Sequence, residues 1–161
     1  TAMRKKRERK DSLEYEKYLN YFSKKISKKA FFVSGLMLYL AEGAKTNYYT
    51  VSIANTDPRI IKFFIRWLKN FFGVAAEKLK AFLHLYDSMN IEKEKKFWEN
   101  ELGFNDSQFY KPYITKNKKT SFSYKESFRH GTCSVSLNNT LIKREIMMAI
   151  NAYVDIILKG V

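Results

Sequence analysis

The sequence is poor in the residues that build disulfides and metal clusters. Its 161 residues include one cysteine, Cys133, and two histidines, His84 and His130. One cysteine excludes an internal disulfide, and one thiol with two imidazoles provides too few ligands for a structural zinc site. We therefore expect Cys133 to be a core residue rather than a nucleophile. His84 is expected on a polar strand face and His130 at a turn.

Long apolar runs are also missing. No stretch of about 18 uncharged apolar residues occurs, so a membrane span is not expected. The N-terminal TAMRKKRERK is not followed by the apolar stretch of a signal peptide. The sequence therefore predicts no membrane partner and a cytoplasmic location.

Acidic residues are scarce relative to basic ones. The chain has 30 Lys and Arg against 16 Asp and Glu, a net charge of +14. The excess is concentrated, because residues 1–30 contain 11 basic and 4 acidic residues and residues 111–130 contain 6 and 1, whereas 31–110 contain 10 and 9. Clustered cations indicate a polyanionic partner. The alternatives are an ordinary solvated lysine-rich surface and, for the N-terminal segment, an anionic membrane.

Hydrophobic periodicity divides the chain into two parts. Residues 1–30 are predicted to form a basic N-terminal arm (1–10) and an amphipathic helix (11–28), and residues 31–161 to form the main domain. Further helices are predicted over 30–44, 58–73, 90–103 and 140–160, and strands over 47–55, 78–86, 109–116 and 131–139. Residues 116–131 are expected to be a polar, basic hairpin or loop. This order predicts an α+β fold with a mainly antiparallel sheet and helices on one face.

The predicted strands alternate between apolar and polar positions. Tyr49, Val51 and Ile53 are expected to face inward. The outward positions are rich in hydrogen-bonding groups and nearly free of carboxylates, a pattern that suits contact with a nucleic-acid groove, although an ordinary solvated face has it too. The predicted DNA contacts are Thr50, Ser52, Lys78, Lys80, His84, Tyr86, Lys111, Lys116, Lys118, Lys119, Tyr124, Lys125, Arg129, Ser134, Ser136 and Asn138.

One motif has a family resemblance. The stretch GLMLYLAEG (35–43) resembles the motif helix of the LAGLIDADG homing endonucleases, with Glu42 on the metal-binding acid and Gly43 on the last glycine. Met37 stands where a small glycine is usual. The similarity extends over about residues 31–150, through an EGAK turn and an N-x-DP strand exit at 55–58.

The resemblance implies a saddle-shaped DNA-binding fold. Two motif helices pack side by side in that family, so a single motif implies a homodimer through the residue 34–43 helix. Small residues such as Gly35 are expected to let the two helices approach. The implied activity is Mg²⁺-dependent cleavage of double-stranded DNA, with Mg²⁺ or another divalent cation held by Glu42 of each copy.

Two more residues are assigned by the resemblance. Asn55 falls near the polar residue that orders the attacking water. Asn138 stands where the family has a lysine, and Lys45 is our candidate to supply that positive charge. The missing lysine leaves two alternatives open: a non-catalytic DNA-binding transcription regulator, and an RNA-binding splicing cofactor on the same scaffold.

Overall fold

The computed structural model describes residues 1–116 and 130–160. The chain divides into two compact units, Thr1–Val33 and Ser34–Val161. Most of the predicted basic loop lies outside the described residues, and so do five of the predicted DNA contacts: Lys118, Lys119, Tyr124, Lys125 and Arg129.

The N-terminal segment is helical. Helix α1 runs Ala2–Ser23, so the predicted flexible arm is wrong and the predicted helix both begins and ends earlier. The segment contains neither glycine nor proline and is rich in strong helix formers, and an Arg4–Glu8 ion pair of 2.8 Å supports one face. No side chain of α1 is buried. Its predicted apolar stripe is therefore exposed.

Helix α2 (Lys28–Glu42) confirms the helix predicted over 30–44. Ser27 Oγ accepts a hydrogen bond from the Ala30 amide at 3.0 Å and so starts the helix. The helix ends before Gly43, as expected, but this glycine does not adopt a left-handed conformation. A Cβ there would lie 2.4 Å from the Tyr39 carbonyl oxygen, so the position requires glycine for lack of space.

Three further helices have the predicted positions: α3 (Pro58–Phe72), α4 (Ile91–Leu102) and α5 (Thr140–Lys159). Each begins after a side chain that accepts a hydrogen bond from a backbone amide of the first turn, namely Asp57, Asn90 and Asn139. Helices α3 and α4 end at glycines in the left-handed conformation, Gly73 and Gly103.

The described strands form one mixed sheet: β1 (Thr50–Asn55), β2 (Lys80–Tyr86), β3 (Tyr113–Thr115) and β4 (Thr132–Asn138). Their spatial order is β1-β4-β2-β3. Strand β4 pairs antiparallel with both β1 and β2, whereas β3 lies parallel to β2 at the edge. The predicted α+β class is confirmed, and the parallel edge strand makes the sheet mixed.

Strand β1 is shorter than predicted. It begins at Thr50, because Asn47 Oδ1 accepts hydrogen bonds from the Thr50 amide at 2.7 Å and the Tyr49 amide at 3.2 Å and holds a turn there. Tyr49, which was expected to face the core, lies outside the strand and is 48% exposed. The prediction for Val51 and Ile53 is confirmed, since both are buried.

Strand β2 also begins later than the alternation predicted. Residues Ala76–Lys78 form a 3₁₀ turn in which the Lys78 amide donates to the Ala75 carbonyl at 3.0 Å. Lys78 is thus exposed but off the strand, so its predicted place on the outward sheet face is wrong. The alternation of apolar and polar side chains continues through this turn, so the sequence pattern does not show that the backbone hydrogen bonds there are local.

The inward face of the sheet packs with α2, α3, α4 and α5 into the core. Each fully buried large apolar side chain contributes about 1.5–3 kcal/mol. Trp67 and Trp98 are fully buried, and so is Cys133, as predicted. Burial raises the pKa of the Cys133 thiol to about 12, which suits a core residue and not a nucleophile.

Candidate functional site

The outward positions of the strands form a surface without a carboxylate. Strand pairing fixes which side chains share this face, because residues in register point to the same side. The members are Thr50, Ser52, Ala54, Thr132, Ser134, Ser136, Asn138, Lys80, Phe82, His84, Tyr86, Tyr113 and Thr115. We call these residues the outward face. Eight of the predicted DNA contacts belong to it: Thr50, Ser52, Lys80, His84, Tyr86, Ser134, Ser136 and Asn138.

The β1–β4 half of the outward face has short polar side chains that pair with one another. Ser52 Oγ and Ser134 Oγ lie 3.1 Å apart, and Thr50 Oγ1 donates to Asn138 Oδ1 at 2.8 Å. These bonds join the two strands while leaving hydrogen-bonding capacity on each hydroxyl. Short side chains also let a partner come close to the backbone. This half suits the polar edges of a groove.

The β2–β3 half is aromatic and basic. It contains Lys80, His84 and Tyr86, which the sequence analysis selected, and also Phe82 and Tyr113, which it missed. Phe82 is 39% exposed and Tyr113 is 58% exposed. The alternation alone could have selected Phe82. Tyr113 joins the surface only through its pairing with His84, and a three-residue strand carries no signal for that register.

Two predicted DNA contacts flank this aromatic half. Lys111 comes just before β3 and Lys116 directly after it, and both are exposed. On the neighbouring strand, Lys80 Nζ donates to the Ser107 carbonyl at 3.0 Å. Three basic residues therefore lie on or next to strands β2 and β3.

Glu42 and Asn55 lie together at one edge of the sheet. A bridge between Gly43 and Ile53 joins the end of α2 to β1, and Asn55 Nδ2 lies 3.5 Å from Glu42 Oε2. The side-chain amide of Asn55 is also held through its oxygen, because Oδ1 accepts a hydrogen bond from the backbone N–H of Asp57 at 2.9 Å. The structure thus brings together the predicted metal-binding acid and the predicted water-ordering residue.

A cation would find one carboxylate at this place. In the part of the chain that the structure describes, no group of three or more His, Cys, Asp and Glu is gathered as a metal site. The Asn55 oxygen is already used, so Glu42 is the ligand that this pair offers. Mg²⁺ is commonly held by one or two carboxylates with waters and phosphate oxygens. Glu42 can therefore contribute one carboxylate ligand to a divalent cation.

Lys45 caps the motif helix. Its Nζ donates to the Leu40 carbonyl at 2.9 Å and to the Gly43 carbonyl at 2.8 Å. Carbonyls at a helix C-terminus lack intrahelical partners and attract a cation. These bonds fix Lys45 at the end of α2 and account for the residue without a catalytic role.

Sequence reasoning missed a buried lysine under the same helix end. Lys143 is 2% exposed, and its Nζ donates to the Tyr39 hydroxyl at 2.7 Å and to the Ala44 carbonyl. Burial and the nearby charge of Lys45 lower the pKa of Lys143. A signal existed, because Lys143 lies three and seven residues before Ile146 and Ile150, on the buried stripe of α5.

Helix α2 is buried on one side and exposed on the other. Leu36 and Tyr39 are buried, whereas Leu40 is 38% exposed and Ala41 is exposed. The helix was expected to be buried on most sides, so the fold leaves an apolar face uncovered. Beside it is an open groove of about 530 Å³ lined by Ser34, Leu38, Asp57, Arg59, Ile60 and Phe63.

Gly35 does not lie on that uncovered face. It is buried, and a Cβ built on it would be 2.1 Å from the indole of Trp67. The expectation that Gly35 lets a second helix approach is therefore wrong, since the glycine is needed for packing within the chain. Ser34 and Ala41 are the small residues that the fold leaves at the surface.

His130 has a structural role. Its ring stacks on Phe97 with centroids 3.6 Å apart, its Nδ1 pairs with buried Glu94, and its carbonyl accepts from Trp98 Nε1 at 2.8 Å. These contacts join α4 to the turn that precedes β4. The turn predicted at His130 is confirmed.

No helix in the described residues is long and apolar enough to cross a membrane.

Comparisons of the chain with protein-family models, curated sequences and solved structures give no match, so the LAGLIDADG resemblance depends on the residues quoted for it.

Proposed function

We propose that this chain is a homodimer that binds double-stranded DNA and cleaves it with a divalent cation such as Mg²⁺. The observation that carries the proposal is the outward face, which is rich in hydroxyl, amide and cationic groups and contains no Asp or Glu. The chain has 16 acidic residues, and a polyanion would be repelled by any that lay on this face. The proposal includes a LAGLIDADG-type saddle and a cytoplasmic location.

The uncovered face of α2 supports the homodimer. Ala41 and Leu40 leave apolar surface exposed beside an open groove, and a second α2 helix would cover it. A two-fold axis there would bring the ends of both motif helices together, because an isologous interface pairs the same surface of each copy. Each copy would then supply one Glu42 to a shared site.

The chain's own residues have three tasks in this mechanism. Glu42 would bind the cation, which when bound lowers the pKa of a water and stabilises charge on the phosphate. Asn55 would orient the Glu42 carboxylate through its amide, which its bond to Asp57 already holds in place. The outward face would bind the phosphates and groove edges and so position the scissile bond at the sheet edge.

A second candidate is a DNA-binding regulator without cleavage activity. It is favoured by the hydrogen bonds of Lys45, whose ammonium donates to two carbonyls of α2. Asn138, at the position where the resemblance implies a lysine, is bonded to Thr50. Neither residue supplies a free cation beside Glu42.

The test is incubation of a randomised duplex library with Mg²⁺ and three proteins: wild type, Glu42→Gln, and Glu145→Gln as the control for an exposed glutamate on α5. Discrete products from wild type and Glu145→Gln, with binding but no products from Glu42→Gln, support the nuclease. Salt-sensitive selection of a palindromic duplex by all three without products supports the regulator. Binding of structured RNA without duplex DNA binding overturns both.

A further inference from the structure

The aromatic half of the outward face differs from the half beside it. Along β2 the outward side chains are Lys80, Phe82, His84 and Tyr86, and Tyr113 lies next to His84 on β3. Opposite Phe82, strand β4 has Ser134, which is small. The ring of Phe82 therefore stands above its neighbour on β4, and 39% of its surface is exposed.

The aromatic side chains are held in place by one another. The His84 and Tyr113 rings meet edge to face with centroids 5.0 Å apart, and the His84 and Tyr86 rings are 6.3 Å apart with planes inclined by 29°. A hydrogen bond between His84 Nε2 and Thr115 Oγ1 fixes the imidazole. His84, Tyr86 and Tyr113 are thus ordered before any partner binds, which reduces the entropy lost on binding.

This half does not suit an intact duplex. Base pairs in a duplex cover each other's faces and offer only polar edges in the groove, which short hydroxyl side chains match better than exposed rings. Unpaired bases offer open faces, and aromatic side chains on a sheet bind such faces by stacking. Lys80, Lys111 and Lys116 lie around the rings, where they can bind the phosphates of the same strand.

We propose that the β2–β3 half of the outward face binds unpaired bases, so that the preferred DNA is a duplex interrupted by unpaired nucleotides. The inference rests on the proposed function, because it divides the same surface between duplex and unpaired segments. The β1–β4 half contacts the paired segment, and Phe82 and Tyr113 stack on the unpaired bases. Stacking on one base changes affinity by about tenfold.

The test compares three fluorescein-labelled DNAs in fluorescence anisotropy titrations. They are a blunt 20-base-pair duplex, the same duplex with four unpaired thymidines in the middle, and oligothymidine. The proteins are wild type, the double variant Phe82→Thr/Tyr113→Thr, and Tyr48→Thr as the control for an exposed tyrosine outside the sheet. EDTA prevents cleavage, and circular dichroism with thermal unfolding confirms that the variants fold.

Wild type and Tyr48→Thr are expected to bind the interrupted duplex about tenfold more tightly than the blunt one. The double variant is expected to lose that preference and to bind the two duplexes about equally. Equal binding of both duplexes by wild type, or a preference that the double variant retains, overturns the inference and leaves the proposed function intact. Binding of oligothymidine without the blunt duplex keeps the stacking surface and overturns the duplex part of the proposed function. Failure to bind any of the three DNAs overturns both.

Discussion

The ammonium of Lys143 lies 2.7 Å from the hydroxyl of Tyr39, beneath the last turn of the motif helix. The same hydroxyl donates to the Ala44 carbonyl at 2.8 Å, so a lysine on α5 and a tyrosine on α2 share one acceptor. Lys45 holds the helix end from the surface side. The helix end that presents Glu42 is thus fixed by two cations, one buried and one exposed.

Replacement of Lys143 by methionine is expected to change the free energy of unfolding by less than about 1.5 kcal/mol at pH 7. The side chains are similar in length, and replacement of a buried charge by an apolar group is often neutral or stabilising. The Ala44 carbonyl keeps its bond from Tyr39. Denaturant unfolding of wild type and Lys143→Met measures the difference.

The same pair of proteins should differ in pH dependence. Burial lowers the pKa of Lys143 in the folded chain, whereas the unfolded value is about 10.4. Between these two pKa values the unfolded chain binds more protons, so the stability of wild type should rise with pH relative to Lys143→Met. Unfolding at pH 7 and pH 10 tests this, with Lys159→Met as the exposed control. A Lys143→Met protein that is several kcal/mol less stable than wild type at both pH values would contradict the small change in unfolding free energy expected above.

Substitution of Gly35 by alanine is expected to lower the free energy of unfolding by about 1–3 kcal/mol or more. The new methyl would lie 2.1 Å from the Trp67 indole, which is itself fully buried and cannot move freely. Tryptophan fluorescence during urea unfolding reports the change. Asn151→Ala, at an exposed position of α5, should change stability by no more than about 0.5 kcal/mol. Equal stability of Gly35→Ala and wild type would mean that α2 and α3 are farther apart than described.

Local rules predicted most of the fold, and long-range pairing explains most of what they missed. Asp57, which precedes a proline, indicates a helix start because its side chain bonds to the first turn. Val51 belongs to a period-two alternation that indicates a strand. Both patterns can be recognised from a few consecutive residues. The place of Tyr113 depends on a strand about 30 residues away, and short edge strands carry little pattern of their own. The burial of Lys143 is hard to predict because lysine is usually a surface residue, although its helical phase matches the buried stripe.

The geometry of the candidate site was predictable only in part. The motif placed Glu42 at a helix end, and the strand exit placed Asn55 at the end of β1. Their approach to 3.5 Å depends on the bridge between Gly43 and Ile53, which no local pattern encodes. The same limitation explains Gly35, whose neighbour Trp67 is 32 positions further along the chain.

Replacement of Asn55 by aspartate should strengthen cation binding at the candidate site. The aspartate keeps an oxygen that can accept from the Asp57 amide, and it replaces an amide donor by a second carboxylate beside Glu42. The added carboxylate, about 4 Å from a divalent cation in a largely solvated site, contributes roughly 1–2 kcal/mol, so Mn²⁺ affinity should rise by about tenfold. Electron paramagnetic resonance of free Mn²⁺ measures the affinity without any activity. Asn151→Asp is the matched control, and equal Mn²⁺ binding by all three proteins would mean that the bound cation does not lie beside Glu42 and Asn55.

Replacement of Ala41 by lysine should dissociate the proposed homodimer without unfolding the chain. Ala41 is exposed in the single chain, and lysine is a good helix former, so the monomer should keep its stability within about 0.5 kcal/mol. In a two-fold interface through α2, each copy would bury an unpaired charge. That penalty is about 3–5 kcal/mol, which raises the dissociation constant at least about a hundredfold. Sedimentation velocity across a concentration series measures the change, with Asn151→Lys on α5 as the control for added charge. If Ala41→Lys and wild type form dimers of equal strength, the contact between copies lies elsewhere on the chain, and Glu42 from two copies would not meet.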